Sequence, residues 1–137
     1  MTREDEITLM KWTIAMEAEG EPFEGKLAVA HVIMNRVNKW KKSVADVCLR
    51  SFQFSAWNTD SPTRLRLDDI DDRIMEVSHQ AAVQAYDSQF QDDPTHGATH
   101  YLNIPLTRQL RGGTLPLWVA AMVKTVDIGQ HSFYKEL

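Results

Sequence analysis

Apolar residues recur at helical spacing at the start of the chain. Ile7, Met10 and Ile14 fall on one helix face, which predicts an amphipathic helix over residues 5–19. Asp5 is of a type that caps helix starts, because its carboxylate accepts hydrogen bonds from the first free backbone N–H groups. A glycine and a proline follow the segment, and both are typical of a helix end.

The next segment is apolar on nearly all sides. Residues 27–34, LAVAHVIM, form the middle of a second predicted helix over residues 23–38. A helix without a polar face is buried, so we expect this one to lie at the centre of the fold. Residues 43–49 predict a short helix and residues 51–63 a loop. An approximate apolar stripe then predicts a third long helix over residues 69–86.

The pattern changes in the last third of the chain. Short runs typical of strands cover residues 99–104, 123–128 and 132–135, and glycines and a proline interrupt the stretch between the first two. Helices first and strands last predict an α+β fold, mainly helical, with a small antiparallel sheet formed by the C-terminal third. With 137 residues, of which 43% are hydrophobic, the chain fits a single domain over residues 1–137.

Glu17 interrupts the apolar stripe of the first helix. At about 100° per residue it falls close to Met10 around the helix axis, whereas Glu19 points to the opposite side. Burial, the negative end of the helix dipole and the neighbouring glutamates would all raise the pKa of Glu17, as a general acid near neutral pH requires. The alternative is a fraying helix end with solvated glutamates.

Composition excludes some functions and leaves others open. The net charge of −4 gives no basic excess for binding nucleic acid. No apolar run reaches the ~20 residues of a membrane span, and the first residues lack the apolar core of a secretory signal. We therefore expect synthesis in the cytoplasm and no disulfide, since Cys48 is the one cysteine of the chain.

Carboxylates suggest glycoside cleavage, which commonly uses two of them. Asp60 is one candidate for a second carboxylate, and four others resemble a solvated helix start: Asp68, Asp69, Asp71 and Asp72. A mechanism with one carboxylate avoids the need for a partner. In it, a hydroxyl of the sugar attacks the anomeric carbon, and the same glutamate serves first as acid and then as base.

Histidine and cysteine offer an alternative chemistry. His96 and His100 have metal-like spacing, but Pro94 and Gly97 place them on a loop, and the chain has no cysteine pair, so we expect no metal and no cofactor. His31 lies in the apolar second helix and is expected to be a core histidine with its hydrogen bonds satisfied. Cys48 is expected to be a buried structural thiol.

Aromatic and amide side chains recur in the predicted loops and strands. Sugar sites need flat apolar faces for pyranose rings and amides for hydroxyl and N-acetyl groups. The candidates are Gln53, Phe54, Trp57, Asn58, Tyr101, Asn103, Phe133 and Tyr134. For Phe133 we favour a purely structural role in the core.

Five segments in the same order resemble the cell wall hydrolase family of the spore cortex-lytic enzyme SleB. They are EAEGEP at 17–22, EGKLAVAHVIMNRV at 24–37, QFS at 53–55, DPTHGATHYLN at 93–103 and IGQHSFY at 128–134. The resemblance implies a lysozyme-like or lytic-transglycosylase-like catalytic domain. It implies cleavage of peptidoglycan strands between N-acetylmuramic acid and N-acetylglucosamine, with Glu17 as the catalytic residue.

The resemblance also implies a substrate cleft. Gln53, Phe54 and Ser55 match a motif beside it, and the strand lining it matches Thr99, Tyr101 and Asn103. His131 matches a motif near the C-terminus, with a structural role. We expect a monomer acting on peptidoglycan. Because the chain lacks the family's usual secretion signal and wall-binding domain, we expect a phage endolysin released by lysis, or a component of a phage particle.

Three alternatives remain. One is a hydrolytic muramidase, the second is a zinc-dependent wall amidase or peptidase using His96 and His100, and the third is a glycan-binding module without catalysis. Chelator sensitivity separates the second from glycoside cleavage, and release of soluble muropeptides separates the enzymes from the binding module.

Overall fold

The protein is described by a computed structural model over residues 1–50 and 67–137. Within these ranges the long helices are α1 (Arg3–Glu17), α2 (Phe23–Trp40) and α4 (Asp72–Asp87). The short helices are α3 (Val44–Leu49), α5 (Ile104–Leu110) and α6 (Leu117–Ala121), and a 3-10 turn spans Leu67–Asp69. The strands are β1 (His100–Leu102), β2 (Val123–Ile128) and β3 (His131–Lys135). None of the helices in these two ranges is long and apolar enough to cross a lipid bilayer.

Helix α1 begins earlier than its apolar pattern predicts. Thr2, not Asp5, is the N-cap: its hydroxyl accepts from the backbone N–H of Asp5, whose carboxylate in turn accepts from the N–H of Thr2. This reciprocal capping box satisfies two backbone donors and moves the start to Arg3. The helix ends at Glu17, before the predicted end at residue 19.

Helix α2 is the buried central helix that its sequence predicts. Its middle residues, Ala28 to Ile33, are at most 1% exposed, and it packs against α1, α3 and α4. It continues two residues beyond the predicted end, to Trp40. There Lys41 adopts a left-handed conformation with φ 55°, and its N–H bonds to the carbonyl of Val37.

Helix α4 lies across α1 and α2. The predicted start at residue 69 is wrong by three residues, because Asp71 caps the helix through the N–H of Arg73 and Asp69 belongs to the preceding turn. Its buried face consists of small residues, Ser78, Ala81, Ala82 and Ala85. Such side chains allow the axes of packed helices to approach closely.

The three strands form one antiparallel sheet in the order β1-β3-β2, so the predicted α+β class is correct. Tyr101 pairs with Phe133 and Ile128 pairs with His131, which leaves a two-residue turn at Gly129 and Gln130. Gly129 has φ 59°, a value that glycine adopts without strain. One face of the sheet packs on α2 through the fully buried Phe133.

Helices α5 and α6 lie in the stretch for which the pattern predicts no regular structure. Neither has a buried residue, so no apolar periodicity marks them. Asn103 begins α5 by accepting a hydrogen bond from the N–H of Leu106, and Gly112 and Gly113, both with positive φ, follow its end. A side-chain cap rather than core packing thus defines the start of α5.

Candidate active site

Glu17 is the last residue of α1. The stripe that selects it is correct, since Ile7, Met10 and Ile14 are 2%, 0% and 0% exposed. Glu17 itself is half-buried at the end of this stripe. The interruption of an apolar stripe by a carboxylate therefore marks the point where α1 leaves the core.

Two side chains from other elements share the electrostatic environment of Glu17. Burial raises the pKa of the Tyr101 phenol well above its usual value, the charge of Glu17 raises it further, and the guanidinium of Arg36 opposes both. Burial lowers the pKa of Arg36, and the charges of Tyr101 and Glu17 oppose that change. An acid, a phenol and a cation, contributed by α1, β1 and α2, thus influence one another here.

Arg36 is held in place by backbone and ring contacts. Its side chain is only 5% exposed, and its Nε donates to the carbonyl of Thr99 over 2.7 Å. Its guanidinium carbon lies 5.1 Å from the centroid of the Trp40 ring, a cation–π distance. The buried cation therefore ties α2 to the chain that leads into β1.

Lys26 closes the turn between α1 and α2. Its side chain is 2% exposed, and its ammonium donates to the carbonyls of Ala18, Glu19 and Glu21, the first two over 2.9 and 3.1 Å. Burial lowers the pKa of Lys26, and the charges of Glu21 and Glu19 oppose this. A cation at a helix C-terminus offsets the negative end of the helix dipole. The buried charge of Lys26 therefore partly compensates the effect of the helix dipole on Glu17.

Glu21 is a second carboxylate of the same turn, and its side chain is only 8% exposed. Its Oε1 accepts from the backbone N–H of Gln130 over 3.2 Å and lies 2.9 Å from Nδ1 of His131. The latter is a close contact without hydrogen-bond alignment. Burial lowers the pKa of His131 and therefore favours a neutral ring. The charge of Glu21 partly opposes this effect.

Glycines allow the Glu21 side chain to fit. A β-carbon on Gly129 would lie 2.5 Å from Oε2 of Glu21, and one on Gly25 would lie 2.8 Å from its β-carbon. Both distances are shorter than van der Waals contact. The glycines at these two positions therefore provide space for the carboxylate between α2 and the β2–β3 turn.

The remaining predicted cleft residues occupy different environments. Tyr101 is half-buried, with its ring 5.0 Å from that of His131 and 5.6 Å from that of Phe133. Thr99 is fully buried, and its hydroxyl lies 2.9 Å from Nδ1 of His100; its contact with substrate stays a prediction. Asn103 is half-buried and caps α5. Gln53, Phe54, Ser55 and the candidate acid Asp60 lie outside the described residues.

The structure shows the surroundings of Cys48, the alternative nucleophile, and of His96 and His100, the alternative metal ligands. Burial raises the pKa of the Cys48 thiol to about 12, so the prediction of a buried structural cysteine is correct. His96 is exposed, whereas the ring of His100 lies 5.1 Å from that of Trp118. Within residues 1–50 and 67–137, no three histidine, cysteine or acidic side chains are grouped so that they could hold a metal ion.

His31 is 1% exposed, as a core histidine should be. The expectation of fully satisfied hydrogen bonds is wrong for one ring nitrogen. Nδ1 has no hydrogen-bond partner among the described residues, and Oδ1 of Asp93 lies 3.8 Å away.

Reasoning from sequence does not identify Lys26 and Arg36. A signal for them exists, because both continue the buried stripe that runs through Val29 and Ile33 of α2 at intervals of three and four residues. The test that selects Glu17, a charge on an apolar stripe, also selects these two cations. Nothing in the local sequence indicates the contact of Glu21 with Gln130, because 109 residues separate them.

Comparison with known proteins identifies the family of the chain. The model of the Cell Wall Hydrolase family matches residues 20–134, a range that starts just after Glu17. Spore cortex-lytic enzymes of Halalkalibacterium halodurans and Bacillus subtilis are 31% and 30% identical over 132 and 131 residues. These alignments cover 95% and 94% of this chain but 34% and 37% of the relatives, so the chain spans about a third of their length.

Two solved structures share the fold. The catalytic domain of the Bacillus cereus SleB protein matches with a TM-score of 0.71 at 26% identity, covering 98% of this chain and 93% of that one. The catalytic domain of the germination-specific lytic transglycosylase SleB from Bacillus anthracis matches with a TM-score of 0.70 at 26% identity, covering 98% and 97%. The family match over most of the chain and the shared fold lead to one conclusion: this chain belongs to the Cell Wall Hydrolase family and has the fold of the SleB catalytic domain.

Proposed function

We propose that the protein cleaves peptidoglycan strands between N-acetylmuramic acid and N-acetylglucosamine as a lytic transglycosylase, with Glu17 as its catalytic residue. The observation that carries the proposal is the position of Glu17, a half-buried carboxylate at the end of a core helix within the electrostatic reach of Tyr101 and Arg36. The names of the relatives, which include a lytic transglycosylase and two cortex-lytic enzymes, support the reaction class.

In the first half-reaction, Glu17 in its acid form donates a proton to the glycosidic oxygen, and the bond from that oxygen to the anomeric carbon of muramic acid breaks. In the second, the C6 hydroxyl of the same muramic acid attacks the anomeric carbon, and its proton returns to the Glu17 carboxylate. The products contain the atoms of the substrate with no water added. Attack from within the same sugar benefits from proximity.

Among the residues that the structure describes, which exclude the candidate Asp60, the arrangement of the other carboxylates supports a single catalytic acid. Asp68, Asp69, Asp71 and Asp72 are exposed around the start of α4, as a solvated helix start should be. Glu21 is engaged by the turn between β2 and β3. A hydrolytic glycosidase commonly places a second carboxylate across the scissile bond to activate water or form a covalent intermediate, whereas intramolecular attack needs none.

The substrate side of the proposal rests on aromatic and amide groups. Tyr101 lies on β1 and interacts electrostatically with Glu17, and Asn103 directly follows this strand. Gln53, Phe54 and Ser55 are proposed to complete the cleft. A hydrolytic muramidase, the alternative within this chemistry, would use the same cleft and differ only in the nucleophile.

The proposal is tested with purified sacculi and mass spectrometry of the released muropeptides. Wild-type protein should release products with 1,6-anhydromuramic ends, and products one water heavier would reassign the enzyme as a muramidase. Glu17→Gln keeps the shape of the side chain but cannot exchange a proton. Its rate should fall by ~10²–10⁴-fold or more, the usual contribution of a general acid–base group.

Glu24→Gln is the matched control, because Glu24 is exposed in the first turn of α2. It should keep wild-type activity, and melting curves should show both variants folded. If Glu17→Gln retains a tenth of the wild-type rate, the assignment of Glu17 is wrong.

A further inference from the structure

The turn after α1 carries a buried carboxylate that the proposed reaction does not use. Glu21 lies four residues after Glu17, and its side chain is directed at the β2–β3 turn, at the far end of the sequence. Buried carboxylates are costly unless polar partners compensate the lost hydration. The partners of Glu21 are therefore informative about what this side chain does.

These partners belong to one short turn. Oε1 of Glu21 accepts from the N–H of Gln130, lies 2.9 Å from Nδ1 of His131, and Oε2 lies over Gly129. We refer to these three interactions as the Glu21–turn contact. A side chain at position 129 would occupy the space of the carboxylate, so the fit depends on both elements.

The contact continues toward Glu17 through two rings. The His131 ring meets the Tyr101 ring edge-on at 5.0 Å, and Tyr101 interacts electrostatically with Glu17. On the other side of Glu21, Lys26 binds the carbonyls of Ala18 and Glu21. At Glu21 the backbone that carries Glu17 is thus joined to the β2–β3 turn and to His131, whose ring meets that of Tyr101.

We propose that Glu21 is a positioning residue: through the Glu21–turn contact it sets the place of the His131 and Tyr101 rings relative to Glu17. The proposal rests on the proposed function for its catalytic consequence, but the contact itself exists independently of any activity. Burial lowers the pKa of His131 and favours its neutral form, so the contact joins a carboxylate to a neutral ring with one nitrogen facing it.

The contact is tested first without any substrate. The amide proton of Gln130 should exchange with solvent at least tenfold faster in Glu21→Ala than in the wild type, because its acceptor is gone. In Glu21→Gln, the amide oxygen still accepts, so the rate should change by less than about threefold. Glu24→Ala, a change of the same type at an exposed position, should leave the exchange of Gln130 unaltered.

Activity is then measured on soluble glycan strands at a temperature where circular dichroism shows every variant folded. Displacing reacting groups by about 1 Å can reduce rates by ~10²-fold, so Glu21→Ala should lower kcat about 10- to 100-fold. KM should change by less than threefold, because most substrate contacts remain. A merely structural role would reduce stability and leave kcat of the folded protein intact.

Two further variants test the contact from the turn. Gly129→Ala places a methyl group against the carboxylate and also strains the turn, because residue 129 has φ 59°, so it should lower both kcat and stability. His131→Ala removes the ring that lies between Glu21 and Tyr101, and it should also lower kcat. The combined Glu21→Ala and His131→Ala losses should be smaller than the product of the single losses, since coupled residues are not additive.

Each result has a distinct meaning. Unchanged exchange of the Gln130 amide in Glu21→Ala would show that the contact is not formed, and the proposal would fall. Faster exchange with unchanged kcat would also overturn it, because the contact would then have no effect on the active site. A wild-type protein inactive on glycan strands would refute the proposed function, while the exchange experiment would still decide the contact. If Glu21→Ala does not fold, His131→Ala tests the link from Glu21 to Tyr101, and an unchanged kcat in that variant would overturn the proposal.

Discussion

Tyr101 connects the proposed catalytic residue to the rest of the sheet. Its ring packs against those of His131 and Phe133. The charges of Glu17 and Arg36 act on its hydroxyl group. Packing and polarity can therefore be separated by a single substitution, because phenylalanine keeps the ring and removes the oxygen.

We expect Tyr101→Phe to reduce turnover about two- to tenfold, the rate equivalent of a net hydrogen bond of ~0.5–1.5 kcal/mol. Its melting temperature should stay within about 5 °C of the wild type, since the apolar contacts are kept. Tyr86→Phe, which removes a hydroxyl that donates to Glu6 on α1, is the control and should leave turnover unchanged. Loss of the fold in Tyr101→Phe would show that the hydroxyl is structural.

At the scale of elements, the junction of α1 and α2 depends on a buried ammonium. Three carbonyls after the end of α1 accept from the ammonium of Lys26, and the carbonyl of Ala18 also accepts from the backbone N–H of Glu21. Lys26 therefore acts as a side-chain cap that comes from the following helix.

Lys26→Met keeps the apolar stem and removes the donor. It should lower the free energy of unfolding by about 2–3 kcal/mol, because buried acceptors would lose a charged partner. Lys39→Met, at an exposed lysine of the same helix, should change it by less than about 0.5 kcal/mol. Urea unfolding followed by circular dichroism measures both, and equal midpoints for the two variants would contradict the capping role.

At the scale of the whole molecule, burial of histidines makes stability depend on pH. Burial lowers the pKa of His31, His100 and His131 below the usual 6.5, although nearby acids partly oppose this. Below pH 6.5 the unfolded chain therefore binds protons that the folded chain does not. The free energy of unfolding must then fall as the pH drops, by at most about 1.4 kcal/mol per pH unit for each group.

Urea midpoints measured from about pH 7.5 to 5 should decline steadily, with stability present above the usual histidine pKa of about 6.5 and lost as the pH falls below it. His31→Gln should give a shallower decline, because one buried ring no longer titrates. His79→Gln, at an exposed position of α4, should reproduce the wild-type slope. A stability that is flat over this range would show that the histidines stay solvated.

The titration of Asp93 sets the lowest pH at which this scan is useful. Although burial alone would raise its pKa, hydrogen bonds from Thr95, Asn35 and Gly97 lower it below the usual 3.8. Its contribution to stability is present above that value and is lost as the pH falls through the lower pKa of the folded state. Measurements above pH 5 therefore exclude the titration of Asp93.

The sequence by itself determined the main elements and the proposed catalytic residue. The apolar stripe of Ile7, Met10 and Ile14 repeats within one helix, and the all-apolar run of α2 marks a buried element, so local periodicity is sufficient for both. The strand β2 also has its predicted bounds, residues 123–128. Glu17 is found because a charge on a buried stripe is visible in the same local pattern.

Only the tertiary structure decided how the ends of these elements are held and which charges meet. Thr2 rather than Asp5 caps α1, and Asn103 caps α5 without any apolar stripe, because capping depends on individual side-chain geometry. The contact between Glu21 and Gln130 bridges 109 residues of sequence. Periodicity reports which face of an element is buried, but it carries no information about the distant residue that the face will meet, and that partner is fixed only when the elements pack.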